Sequence, residues 1–233
     1  MVKLKQLFSR RGRKRLLNPV DWGGLRRLAP VSKKFGFDRG TPIDRYYIGR
    51  FLQEYRSDIR GHVLEISESQ YTRSFGGNQV SASDVLHATH DNPSATLVGD
   101  LATGDGIPRN EFDCFILTQT LQMIRDFPAA IEHARNALRP GGVVLASLPG
   151  ISPISRYDME RWGDYWRFTN RSAKEMFAAV FGAAGVEVSS FGNILTATAF
   201  LHGLAAEELQ PEELDFHDPD FEVMITVRAV RPA

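Results

Sequence analysis

The sequence has one cysteine, Cys114, set in an apolar run, so no internal disulfide can form and the pattern fits a reducing compartment. No apolar run approaches the roughly 18–20 residues that a membrane-spanning helix needs. The basic N-terminus MVKLKQLFSRRGRKRLL has neither the apolar stretch nor the small-residue cleavage site of a secretory signal. A Walker-type phosphate loop and a G-x-S-x-G elbow are also missing. His87 and His90 lie close together without further Cys or His at ligand spacing, so no metal site is expected. These absences exclude several hydrolytic and metal-dependent chemistries and favour a cytoplasmic protein.

Net charge is absent too, because 28 Lys and Arg balance 28 Asp and Glu, but the balance is uneven along the chain. Residues 1–40 hold 12 Lys or Arg against 2 Asp, a net of +10, and the remainder carries −10. Three readings of this segment stay open: a solvated, partly disordered leader, a membrane contact, or a nucleic-acid contact. The membrane contact would be weak and peripheral, at the inner face, through residues 1–17, where Leu4, Leu7, Phe8, Leu16 and Leu17 interleave with cations. Nucleic acid is disfavoured, since no aromatic-plus-basic motif accompanies the charge.

What is present reads as one globular core of ordinary composition, 42% hydrophobic and 24% charged in 233 residues. The basic excess stops near Gly40–Thr41, dividing a leader (1–40) from a domain (41–233). From Pro42, the residues Ile43, Tyr46, Tyr47, Phe51 and Tyr55 fall near one helical face. Buried-strand runs follow at HVLEI, ATLVGD, FDCFILTQT and GVVLASLPG. Helical spacing marks PAAIEHARNAL, which stops at RPGG, and NRSAKEMFAAVFGAAG, with Asn170 or Ser172 as its cap. VEVSSFG and FEVMITVRAV read as the last strands, flanking a helical LTATAFLHGLAAEEL. Apolar strands alternating with helices predict an α/β fold with a parallel sheet, whose ligands bind beyond the carboxyl ends of the strands. That places the site near Glu65–Ser69, Asp84, Asp100 and Thr118–Thr120.

The pieces VLEI, FDCFILTQTLQMI, ARNALRPGGVVLASLPG and RWGDYWRFT resemble the class I S-adenosylmethionine-dependent methyltransferases. The resemblance is to the methyltransferase-like domains of bacterial cell-surface glycan and sugar-modifying pathways, and it covers roughly Thr41 to the C-terminus. It implies a Rossmann-like fold: a mostly parallel seven-stranded sheet with an antiparallel last strand and helices on both faces. It also implies S-adenosyl-L-methionine as cofactor and a glycan precursor or small polar metabolite as methyl acceptor.

By that resemblance Glu65 ends the first strand beside the cofactor's methionine part. Asp84 ends the second and accepts from the ribose hydroxyls, Asp100 with Leu101 meets the adenine, and Thr118 and Gln119 wall the methionine side. Family members carry E-x-G-x-G-x-G after the first strand, whereas Ser67, Ser69 and Tyr71 stand at these glycine positions here. Ser67 and Ser69 are small enough to contact the cofactor's amino-acid end. Each acid also has a plainer role in capping or turn formation.

RYDMERWGDYWRFT concentrates aromatic and charged residues. As a lid after the fifth strand it would offer Tyr157, Trp162, Tyr165, Trp166 and Arg167 to an acceptor. As a local cluster it would instead tie the loop down, with Arg167 paired to Asp164. Candidate bases are Asp158 and Asp164; His202, in an apolar helix, reads better as a hydrogen-bonded core residue. The missing glycines leave a second possibility, a methyltransferase-like module without catalysis that binds a partner or a membrane surface. A nicotinamide-dependent oxidoreductase is weaker, because its glycine fingerprint is absent as well.

Overall fold

A computed structural model describes residues 23–233, so the expected leader contact of residues 1–17 lies outside the described residues. The described residues divide at Pro30, and Val31–Ala233 form one compact unit. The described residues before it carry one short 3-10 turn, Gly23–Leu25.

The compact unit is built on seven strands: β1 (Gly61–Ile66), β2 (Val80–His87), β3 (Leu97–Val98), β4 (Phe112–Thr118), β5 (Leu138–Pro149), β6 (Val186–Phe191) and β7 (Met224–Val230). Their order is β3-β2-β1-β4-β5-β7-β6. Strands β1 to β5 pair in parallel, and β7 runs antiparallel between β5 and β6. The fold expected from sequence is the fold observed.

The apolar runs become central strands because both faces of the sheet are covered. Alternate residues of β4 enter different cores: Phe115 and Leu117 join one, Cys114 and Ile116 the other. The first core takes Ile131 and Ala134 of α2 (Phe127–Ala137) and Phe177 and Phe181 of α4 (Asn170–Phe181). The second takes Tyr47 and Phe51 of α1 (Ile43–Glu54), Phe200 of α5 (Ile194–His202) and Leu214 of α6 (Pro211–Asp215). Helix α3 (Arg156–Arg161) is short and buries none of its residues.

Local chemistry sets the helix ends. Asp126 caps α2 by accepting from Ala129 N, with Pro128 in the first turn. Neither expected residue caps α4; Thr169 does, in a reciprocal box in which Thr169 Oγ1 accepts from Ser172 N and Ser172 Oγ from Thr169 N. Pro42 is likewise the residue before α1 rather than its first. His202, at the end of α5, has a buried Nδ1 without a partner, so it is not the hydrogen-bonded histidine expected.

The compact unit starts at Val31, upstream of the charge boundary at Gly40–Thr41. Val31 N and Ser32 N donate to His202 O, Phe35 packs on Phe200, and Arg39 pairs with Glu208. Part of the basic stretch before that boundary is thus held by backbone bonds and aromatic packing. The Arg39 guanidinium, with help from Ala205 N, draws the Glu208 carboxyl down to about 2. A depressed carboxyl stabilises the fold above its ordinary value, and that contribution disappears as pH falls towards 2. Glu208→Gln should thus flatten the acid branch of the thermal-midpoint profile between about pH 5 and pH 2, modestly because the pair is half-exposed.

Candidate functional site

Strand β1 delivers Glu65 to the sheet's carboxyl edge, only 1% exposed. Its carboxylate accepts from Tyr71 N (3.0 Å), Thr72 N (2.7 Å) and Thr72 Oγ1 (2.6 Å). Burial pushes the Glu65 carboxyl up against the lowering pull of these bonds. The acid thereby organises the chain's own loop. Ser67 turns that loop with a φ of 66°, the left-handed conformation a glycine would adopt freely. Ser67 N donates to Leu86 O at 2.9 Å, fixing the turn against β2. Ser69 Oγ is taken by Arg73, and Tyr71 packs near Phe75 while its hydroxyl faces Arg45. The bulk at the third glycine position is thus directed away from the turn.

Asp84 does not end β2. In the parallel register Leu64 faces Asp84 and Glu65 faces Val85, so Glu65 and Asp84 point to opposite faces of the sheet. Both oxygens of Asp84 are engaged, by His62 Nε2 at 2.7 Å and Thr96 Oγ1 at 2.6 Å. The strand continues to His87, which occupies the tip expected of the acid. The sequence signal for this was register: counting from Glu65, the tip falls beyond Asp84. His87 binds Thr89 through Nδ1, and no hydrogen bond to its Nε2 is found among the described residues.

Asp100 is exposed just past β3; Oδ1 accepts from Ala102 N at 2.7 Å and Oδ2 makes no hydrogen bond among the described residues. Leu101 is a core residue, and its carbonyl accepts from His133 Nδ1. At the tip of β4, Gln119 also adopts a left-handed φ, 47°, with its N–H donating to Ser147 O. Thr118 O accepts from Thr120 Oγ1. Gln122, not anticipated from sequence, donates Nε2 to Gln119 O at 2.9 Å, and its buried Oε1 has no partner among the described residues. A buried acceptor in that state favours an incoming N–H or ammonium donor.

The segment after β5 divides into an anchor and a cover. Arg167 grips Asp164 with two bonds (2.5 and 3.0 Å) and donates to Pro153 O, while Asp164 Oδ2 accepts from Ser155 N. Asp164, whose side chain is 3% exposed, is consumed by this clamp and is poorly placed to take a proton. Trp166 bonds Ile124 O and packs edge-on against Phe127, and both it and Tyr165 are exposed. Trp166 and Arg167 hold the loop down. The cover is different. Trp162 meets His87 edge-on at 5.6 Å, so the segment starting from β5 reaches β2 across the intervening tips of β4 and β1. Tyr157 is exposed, with Arg161 stacked 3.5 Å from its ring centre. The half-buried Asp158 carboxylate makes no hydrogen bond or ion pair among the described residues.

The methyltransferase-domain family profile matches residues 23–185. The chain belongs to this family. It is a methyltransferase domain, and the cofactor that the sequence resemblance implies for it is S-adenosylmethionine. Among solved structures it resembles an S-adenosylmethionine-dependent methyltransferase from Archaeoglobus fulgidus (TM-score 0.51, 10% identity, 81% of this chain and 94% of that one). The N-methyltransferase NodS from Bradyrhizobium japonicum in complex with S-adenosyl-L-homocysteine is similar at TM-score 0.51 and 12% identity, over 88% and 95% of the two chains. Phosphoethanolamine N-methyltransferase 2 from Haemonchus contortus gives TM-score 0.51 and 14% identity, over 79% of this chain and 53% of that one. At these identities the likeness is one of fold. No curated protein sequence matches significantly.

The cofactor fits this edge unevenly. The left-handed turns at Ser67 and Gln119 and the orphaned Gln122 Oε1 suit its methionine half, and the free Oδ2 of Asp100 suits an adenine amine. The ribose acceptor expected at Asp84 does not fit, since that carboxylate is occupied on the wrong face. Asp164→Asn should loosen the anchor, costing about 2 kcal/mol for a lost charge-assisted pair that is partly exposed. Hydrogen exchange should accelerate across residues 152–168 and stay unchanged in β4.

Proposed function

We propose that this domain methylates a hydroxyl or carboxyl of a small polar metabolite or glycan precursor. The observation that carries the reading is the cover running from β5 to β2, with the free Asp158 carboxylate on its helix. The cofactor would supply an electrophilic methyl group on a sulfonium. Ser67, Gln119 and Gln122 would hold its methionine side, Asp100 the adenine, and His87 Nε2 the ribose edge in place of Asp84. Asp158 would take the acceptor's proton, while the exposed ring of Tyr157 and the half-buried Trp162 would offer flat contacts to a sugar-like ring. Catalysis of this kind depends on alignment and deprotonation within one covered space.

No helix among the described residues is long and apolar enough to cross a membrane. The reading places the domain in the cytoplasm, with peripheral contact through the basic residues 1–17 as its route to a membrane-bound acceptor.

Calorimetric titration with S-adenosylmethionine and S-adenosylhomocysteine tests this assignment, and an absence of binding at millimolar concentration would refute it. Asp158→Asn should lower kcat by about 100-fold, as expected for loss of a general base, with S-adenosylhomocysteine affinity unchanged. The non-catalytic alternative draws support from Glu65, whose lone pairs serve its own loop. It predicts no cofactor binding at all.

A further inference from the structure

Helix α1 leads down to β1, entering it at Gly61, so the first turn of α1 lies towards the carboxyl edge of the sheet and its last turn towards the opposite edge. The contact between Arg45 and Tyr71 of the β1 loop locates that first turn directly. Two oppositely charged side chains sit there with little to hold them. Among the described residues Asp44, whose side chain is 13% exposed, accepts only from the adjacent Arg45 N, at 2.8 Å. Arg45 has one long hydrogen bond, 3.5 Å to Tyr71 Oη, and its Nε stands 4.0 Å from Asp44 Oδ2, beyond hydrogen-bond reach. Burial pushes the Asp44 carboxyl up despite the nearby guanidinium. Phe37, 6.0 Å from the guanidinium, covers one side, and Glu65, Glu68 and Tyr71 are the other titratable groups around the pair. A largely buried carboxylate with this few partners is costly, and it becomes favourable, like the one-third-exposed Arg45 guanidinium beside it, when a ligand supplies the missing bonds.

We propose that Asp44 and Arg45 form a clamp for an α-amino-acid zwitterion, Arg45 holding the carboxylate and Asp44 the ammonium of the cofactor's methionine end. This rests on the methyl-transfer reading above. The clamp would supply from α1 the contacts that a glycine loop with close backbone approach supplies elsewhere. In this chain that loop carries Ser69 and Tyr71, whose groups are turned to Arg73 and Arg45.

Two ligands separate the clamp from the rest of the site: S-adenosylhomocysteine, and 5′-methylthioadenosine, which keeps the adenosine and thioether but lacks the amino acid. Calorimetry on wild type, Arg45→Met, Arg45→Lys and Asp44→Asn, with thermal midpoints checked, gives the readout. Arg45→Met and Asp44→Asn should weaken S-adenosylhomocysteine by about tenfold or more, the value of one charge-assisted bond, with Arg45→Lys intermediate. Methylthioadenosine affinity should stay within about twofold for every variant, since it has no zwitterion to lose. Unchanged S-adenosylhomocysteine binding in Arg45→Met, or a parallel loss of both ligands, would overturn the clamp alone. A wild type that binds neither ligand would overturn the methyl-transfer reading and the clamp with it.

Discussion

The buried Glu65 carboxylate is the constraint on which the edge of this sheet depends. A desolvated acid must find donors, and the nearest are the N–H groups of Tyr71 and Thr72 and the Thr72 hydroxyl. Meeting them draws the loop back over the end of β1 and forces the turn at Ser67. It also brings Tyr71 alongside Arg45 of α1. One strand-end residue therefore sets the loop, the turn and the approach of a helix that belongs to the opposite end of the preceding connection.

The architecture was readable because the core strands are uninterrupted apolar runs, which only a sheet covered on both sides can accommodate. β4 starts where its run starts, at Phe112, whereas β5 starts at Leu138, ahead of its run, and takes in the RPGG expected to stop the helix before it. β3 shrank to Leu97–Val98, since an edge strand has a partner on one side only. The site was harder to read, because single residues depend on register and register is not a local property. Asp84 lies one pairing position away from facing Glu65, and that offset transfers it to the other face, against His62. His87 was weighed only as a metal ligand and Gln122 stood unremarked inside a family motif, because each matters through the strand end it reaches. Asp164 and Arg167 were correctly weighed as a possible pair, but only geometry separated anchoring side chains from the free Asp158.

Under the proposed assignment the residue chemistry follows the family pattern on the methionine side of the edge and departs from it on the ribose side. Glycines were expected to let the backbone come close; here Ser67 adopts the strained turn itself, held by Leu86 O. Acidic acceptors were expected on consecutive strand tips; an imidazole stands at one of them. The chain keeps the scaffold and redistributes the polar groups around it.

The cover after β5 is fastened unequally. At its root a guanidinium and a carboxylate are locked together; at its far end there is one edge-on meeting of an indole with an imidazole, worth about 1 kcal/mol. Parting this segment from β2 costs one ring contact and leaves the anchoring pair whole. Traffic of small molecules beneath it would then be metered by the breathing of two rings, with no part of the sheet having to come undone.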